Sequence, residues 1–167
     1  MNYYESVVID YLRADRAIFV NTQCCLQLNP SPNPDKSGPH WYCDAVAIDF
    51  RPPNGPRVFL CEISYGSQLA DLLKRLIGWS ENWTGVRSAL ARDCCIPPAW
   101  PVRPWLFVPE QLLPVLLKRL GSICDIPSPA FVPRITPLEA VQPWRYCSWN
   151  REREDAKPEI IPARMIE

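Results

Sequence analysis

Apolar residues recur along this chain with two different periods, and the changes of period mark its elements. In "YYESVVIDYLRA" (3–14), Tyr4, Val8, Tyr11 and Leu12 fall at helical spacing, and Glu5 lies in the first turn, where a negative charge suits the helix dipole. The spacing predicts a helix. The next run, "AIFVNTQCCLQLN" (17–29), is rich in strand formers and stops at "NPSPNPDKSGP". "DAVAIDF" and "RVFLCEIS" are two further strand-like runs. They are joined by "RPPNGP", whose prolines end a strand and whose Asn54-Gly55 pair favours a reversal, so the two runs form a hairpin.

Helical period returns after Gly66. With Ser67 as N-cap, Leu69, Leu72, Leu73, Leu76 and Ile77 form one stripe, expected to weaken at Gly78 or Gly85 and to end before "CCIPPAWP". "VRPWLFVP" (102–109) reads as a strand, and "EQLLPVLLKRLG" as a helix with Pro114 near its first turn and Gly121 as its stop. "AFVPRI" suits an edge strand because of Pro133, and "TPLEAVQPW" a last short helix. The order is α-β-β-β-α-β with C-terminal additions. It predicts an α/β (α+β) fold, a mixed sheet flanked by helices. A chain of 167 residues suits one domain, here 1–149, followed by a charged, proline-punctuated tail at 150–167.

Composition narrows the setting. The chain is 47% hydrophobic and 11% aromatic, as folded domains are, and no apolar run reaches the roughly 18 residues of a membrane span. The start lacks a basic segment followed by an apolar one, so no secretory signal is expected and the setting is read as cytoplasmic, without a membrane. Eight cysteines occur without any C-x-x-C pair, which favours plain thiols over a zinc site. Basic and acidic residues balance at 18 each, so any contact with a polyanion must come from a local patch. His40 is the only histidine and has no recognisable nucleophilic partner, and no glycine-rich phosphate loop is present. Kinase, NTPase and dinucleotide readings fall away.

The hairpin holds the candidate chemistry. Its two apolar runs each carry an acid, Asp44 and Glu62, where a buried strand least tolerates one. Opposed residues in an antiparallel pair have a constant sum of numbers. If Phe50 faces Val58, then Asp44 faces Ser64 and Val46 faces Glu62; a slip of two residues sets Asp44 directly against Glu62. Either register puts both carboxylates on one face, near enough to grip one cation. Oxygen ligands suit Mg²⁺ or Mn²⁺. The plainer alternative is an acid solvated at a strand end, and Asp49 is read that way.

These residues resemble the PD-(D/E)xK nuclease superfamily, whose restriction-endonuclease-like core runs α-β-β-β-α-β, with an Asp at the start of the second strand and Glu-x-Lys at the end of the third. "CDAVAIDF" matches the first half with Asp44, and "VFLCEISY" the second with Glu62-Ile63-Ser64, over roughly residues 3 to 109. The resemblance implies a metal held by Asp44, Glu62 and the backbone carbonyl of Ile63, with Glu5 as an additional acid and Gln68 as a polar neighbour. It departs at Ser64, where the signature has lysine. A lysine supplied from the neighbouring helix, Lys74, is the candidate replacement, and a surface lysine that merely snorkels is the alternative.

The implied activity is Mg²⁺- or Mn²⁺-dependent hydrolysis of DNA, or RNA, phosphodiesters in a defence, repair or mobile-element system, with a protein partner or a homodimer supplying target recognition. Lys74, Arg75 and Arg87 are the candidate phosphate contacts, and Trp79, Trp83, Trp100 and Trp105 are either stacking faces or core. The rival class is a catalytically silent domain of the same fold that binds nucleic acid or docks a protein. An unrelated α/β adaptor with incidental acids is the third.

Overall fold

The computed structural model describes residues 3–28, 40–66, 69–123 and 131–146. Within them α1 (Tyr3–Arg13) is followed by β1 (Ile18–Gln27), β2 (His40–Asp49) and β3 (Arg57–Ile63). Two short helices, α2 (Ala70–Glu81) and α3 (Trp83–Asp93), lead to β4 (Val102–Val108). A 3-10 turn, Glu110–Leu112, opens α4 (Leu113–Ile123), and β5 (Arg134–Pro137) runs into a second 3-10 turn, Leu138–Val141. The fold is mixed α/β.

The strands lie in chain order, β1-β2-β3-β4-β5. β1, β2 and β3 form an antiparallel meander, whereas β4 and β5 add in parallel. Parallel neighbours need long crossovers, and α2-α3 and α4 provide them. Helices cover both faces. One face packs Val46, Val58, Leu60 and Leu106 against Leu72, Leu76 and Trp79 of α2, Val86 and Leu90 of α3, and Leu116 and Leu120 of α4. The other packs Ala45, Ala47, Phe59, Trp105 and Phe107 against Val8, Ile9 and Leu12 of α1. Buried on both sides, β3 must be apolar nearly throughout, and every residue from Val58 to Ile63 is buried.

Several local expectations shift. The helix after Gly66 divides at Asn82, between the two glycines. The Asn82 amide N–H is shared by the carbonyls of Gly78 and Trp79, and its Nδ2 also donates to Gly78 O at 3.1 Å, so this side chain competes for the helix's own acceptor. α4 does not stop at Gly121 but continues to Ile123. A mid-helix glycine costs about 1 kcal/mol, which a helix anchored by Leu116 and Leu120 tolerates. The fifth strand begins after Pro133, not through it, because proline cannot donate to a ladder. Gly55 turns the hairpin at φ +106°, with its N–H donated to Pro52 O. Ser67, Gln68 and the tail at 150–167 lie outside the described residues.

Asp49 corrects the solvated reading. It is 5% exposed, and both of its oxygens take hydrogen bonds from the Arg51 guanidinium, at 2.8 and 2.7 Å. Trp79 and Trp105 are buried and belong to the core. Among the described residues the cysteines are free thiols, with Cys24 Sγ 3.9 Å from Cys94 Sγ. No helix among them is long and apolar enough to cross a membrane.

Candidate active site

The hairpin adopts the register that opposes the two acids. β2 pairs with β3 through Ile48–Val58, Val46–Leu60 and Ala45–Cys61. The ladder ends at Ala45–Cys61, one residue short of Asp44 and Glu62, at the C-terminal end of β3, the end where open α/β sheets gather their ligands. There β2 and β3 part. Asp44 Oδ2 accepts the backbone N–H of Ile63 at 2.7 Å, so a carboxylate replaces the carbonyl that a continued ladder would have offered.

The alternation of faces also breaks at Asp44. Ala45 and Ala47 pack toward α1, while Cys43 and Val46 pack toward α2 and α3. In β1 the same change occurs between Val20 and Cys24, and the pairs Thr22–Ala45 and Cys24–Cys43 bracket the break. Because both strands change together, their register survives and Asp44 is re-aimed. It meets both helical layers: Arg75 of α2 and Glu5 of α1 each act on its charge.

Glu62 is 1% exposed, and neither carboxylate oxygen accepts a hydrogen bond among the described residues. Arg75 Nε comes within 2.6 Å of Oε2 but out of line for a hydrogen bond, so the contact is an ion pair from a side chain that is 42% exposed. Burial, and then the neighbouring charge of Asp44, push the Glu62 carboxyl up to about 8 against the opposing pull of Arg75. Burial raises Asp44 as well, the Ile63 N–H and Arg75 work against it, and Glu5 adds to the rise. Two carboxylates that resist ionisation side by side form a site prepared for positive charge.

Glu5, Ile9, Thr22, Tyr42, Cys43, Asp44 and Ile63 line a cavity of about 380 Å³ at this end of the sheet. The cavity therefore gathers Asp44, Ile63 and Glu5, whereas Glu62 lies outside its lining, beside Arg75 of α2 and within reach of the Asp44 charge. Ser64 follows at once, half-buried, its N–H held by Phe107 O at 2.9 Å. Lys74 is exposed on α2, and the cation that meets Glu62 is its neighbour Arg75. Arg87 is elsewhere: it donates to Pro98 O and lines a separate groove with Trp83 and Ser88. Gln68 is outside the described residues.

Two members of the site carried no catalytic assignment from the sequence. Arg75 entered only as a phosphate contact, though it sits three residues after Leu72 and one before Leu76, on the margin of the buried stripe. Tyr42, two residues before Asp44, lines the cavity and is 61% exposed, and no local motif marks it.

The donor set fits a hard divalent cation, since Glu62 offers buried oxygens without a hydrogen-bond donor beside a second carboxylate. Among the described residues no group of three or more His, Cys, Asp or Glu side chains is placed to hold a metal ion, so any such ion rests on two acids, a backbone carbonyl and water. No protein-family model, curated protein or solved structure significantly matches the chain.

Proposed function

We propose that the protein is a metal-dependent nuclease of the PD-(D/E)xK type, acting on phosphodiester bonds of DNA in the cytoplasm, with a protein partner or a second copy supplying target recognition. The observation that carries this reading is Glu62, a buried carboxylate raised by burial and by the charge of Asp44, and met by Arg75 where β2 and β3 part. Glu62, Asp44 and the Ile63 carbonyl would hold Mg²⁺ or Mn²⁺, which when bound supplies Lewis-acid activation of water and offsets charge on the phosphate. With Oδ2 engaged by the Ile63 N–H, Asp44 presents Oδ1 to the site. The Ser64 hydroxyl positions the attacking water or a phosphate oxygen. Arg75, half exposed, can leave Glu62 for the substrate phosphate and take over part of the missing lysine's electrostatic role.

Arg75 also favours a second reading. A guanidinium 2.6 Å from Glu62 can stand permanently where a metal would, leaving a silent module that binds nucleic acid or docks a protein. A cleavage assay with Mg²⁺ or Mn²⁺ on linear, nicked and single-stranded DNA, run beside Glu62→Ala, separates the two. The nuclease reading expects metal-dependent cutting that the variant loses, together with Mn²⁺ binding heat in calorimetry. DNA binding without cutting and without Mn²⁺ heat would establish the silent module.

A further inference from the structure

Of the tryptophans read as stacking faces or core, Trp79 and Trp105 are core, but exposed tyrosines lie next to the acids of the site. Tyr42 lines the cavity itself. Tyr4, next to Glu5 on α1, stacks on Tyr65, which directly follows Ser64; their centroids are 5.2 Å apart and their planes differ by 13°. Tyr3 meets Tyr4 edge-on at 5.4 Å. Tyr65 is 49% exposed, and Tyr3 and Tyr4 are also open to solvent. The stacked pair joins α1 to the connection after β3, and so flanks the acids contributed by those two elements.

Charge decides what such a rim can hold. Intact duplex hides its base faces and is held chiefly through phosphates, which calls for a dense basic surface. Here the net charge is zero, the cavity is lined by the acids Glu5 and Asp44, and the one cation shown at the site among the described residues is Arg75 on Glu62. Stacking on an aromatic ring needs no net positive charge, and every base has a face to offer. The hydroxyls keep the rings compatible with water while the strand is absent.

Resting on the nuclease reading of the same site, we infer that Tyr42 and the Tyr4–Tyr65 pair form a stacking platform for unpaired bases, so that the site takes single-stranded nucleic acid in preference to intact duplex. Bases on either side of one phosphate lie on the rings, and that phosphate falls toward the cavity that Tyr42 and Asp44 line.

Fluorescence anisotropy tests this with the full chain in metal-free buffer containing EDTA, so that no cutting occurs. The probes are a labelled 20-nucleotide DNA strand, the RNA of the same sequence, and the blunt DNA duplex. The expected result is single-strand binding at least about tenfold tighter than duplex binding. Tyr42→Ala and Tyr65→Leu should each weaken it by about 5- to 100-fold, the range of one lost base stack, while Tyr65→Phe retains it. The two single strands show whether the platform prefers deoxyribose or ribose.

Duplex binding as tight as single-strand binding, absence of binding, or unchanged affinity in both loss variants would overturn the platform. Cleavage is scored separately. Tyrosine-dependent binding without any Mg²⁺- or Mn²⁺-dependent cutting would sink the nuclease reading alone. Duplex cutting indifferent to both tyrosines would leave the nuclease and remove the platform.

Discussion

The same hairpin buries two acids, one near each end of the β2–β3 ladder, and they are treated in opposite ways. Asp49, at the turn end, meets Arg51 through two guanidinium hydrogen bonds and also takes the Arg51 backbone N–H at 3.0 Å. Burial pushes its carboxyl upward, but those bonds and the Arg51 charge outweigh it, and the group ends below the usual carboxylate range. Glu62, at the far end, is no less buried, is met by Arg75 but by no well-aligned hydrogen-bond donor among the described residues, feels the charge of Asp44 and is driven up to about 8. Burial alone does not fix the direction in which a carboxyl shifts; the supply of donors does. Asp49 is held by a guanidinium whose residue also bonds it through the backbone, whereas Glu62, among the described residues, is met by Arg75 alone and by the opposing charge of Asp44.

The largest expected effect breaks the comparison at the chemistry. Glu62→Ala should lower metal-dependent cleavage on the order of 10²–10³-fold or more, whereas Asp49→Asn should leave the rate per folded molecule near the parent's. Equal losses in both variants would remove the distinction. The same pair should invert in stability. Asp49→Asn removes the buried one of Arg51's two carboxylate partners, Asp15 being the other, and should cost about 1 kcal/mol by urea denaturation at pH 7, while Glu62→Gln in metal-free buffer should cost little or nothing.

pH sharpens the contrast next. The folded state raises the Glu62 pKa from 4.5 to about 8, so between those values it holds a proton that the unfolded chain releases. Metal-free stability is therefore greatest on the acid side of this window and falls as pH rises, by at most about 1.4 kcal/mol per unit, levelling off above about 8. Asp49 has the opposite sign, since its lowered pKa gives stability above the ordinary carboxylate range that is lost as pH falls. Urea midpoints from pH 5 to 9 should slope downward in the parent and lie nearly flat in Glu62→Gln. Mg²⁺ should restore the parent selectively at the alkaline end, because a cation competes with the proton.

The smallest effect concerns Arg75. Arg75→Gln removes a charge that favours ionised Glu62, so the midpoint of metal binding should move to higher pH. Asp44→Asn removes the opposing charge, and proton titration of Glu62 followed by NMR should show it falling. Unmoved titrations in both variants would mean that burial alone sets the shift. If Arg75 is instead a permanent occupant, Arg75→Gln should create Mn²⁺ binding where the parent has none.

Much of the frame was legible from period and punctuation. The order of α1, the three meander strands, the helical crossover and β4 follows from where apolar spacing changes between two and about 3.6 residues. The register that ends beside Asp44 and Glu62 was legible as one of two even registers, but the common face expected for the two acids rested on an alternation that breaks at Asp44. Local pattern was silent on the break of alternation at Asp44, which requires β1 and β2 to change face together, and on Asn82 as the point where the crossover helix divides. It also misplaced Asp49, since Arg51 lies only two residues away and nothing in their spacing shows that the guanidinium curls back.

By itself, the sequence determined that two acids would lie on neighbouring extended segments inside an apolar setting, for that depends only on covalent spacing and strand geometry. Tertiary structure alone decided that Arg75 rather than Lys74 reaches Glu62, that Glu5 joins from α1, and that Tyr42 and Tyr65 stay open to solvent. Each of those outcomes depends on how a helix is rotated against the sheet or where one strand leaves another. Long-range packing fixes such angles, and no local run of residues encodes them.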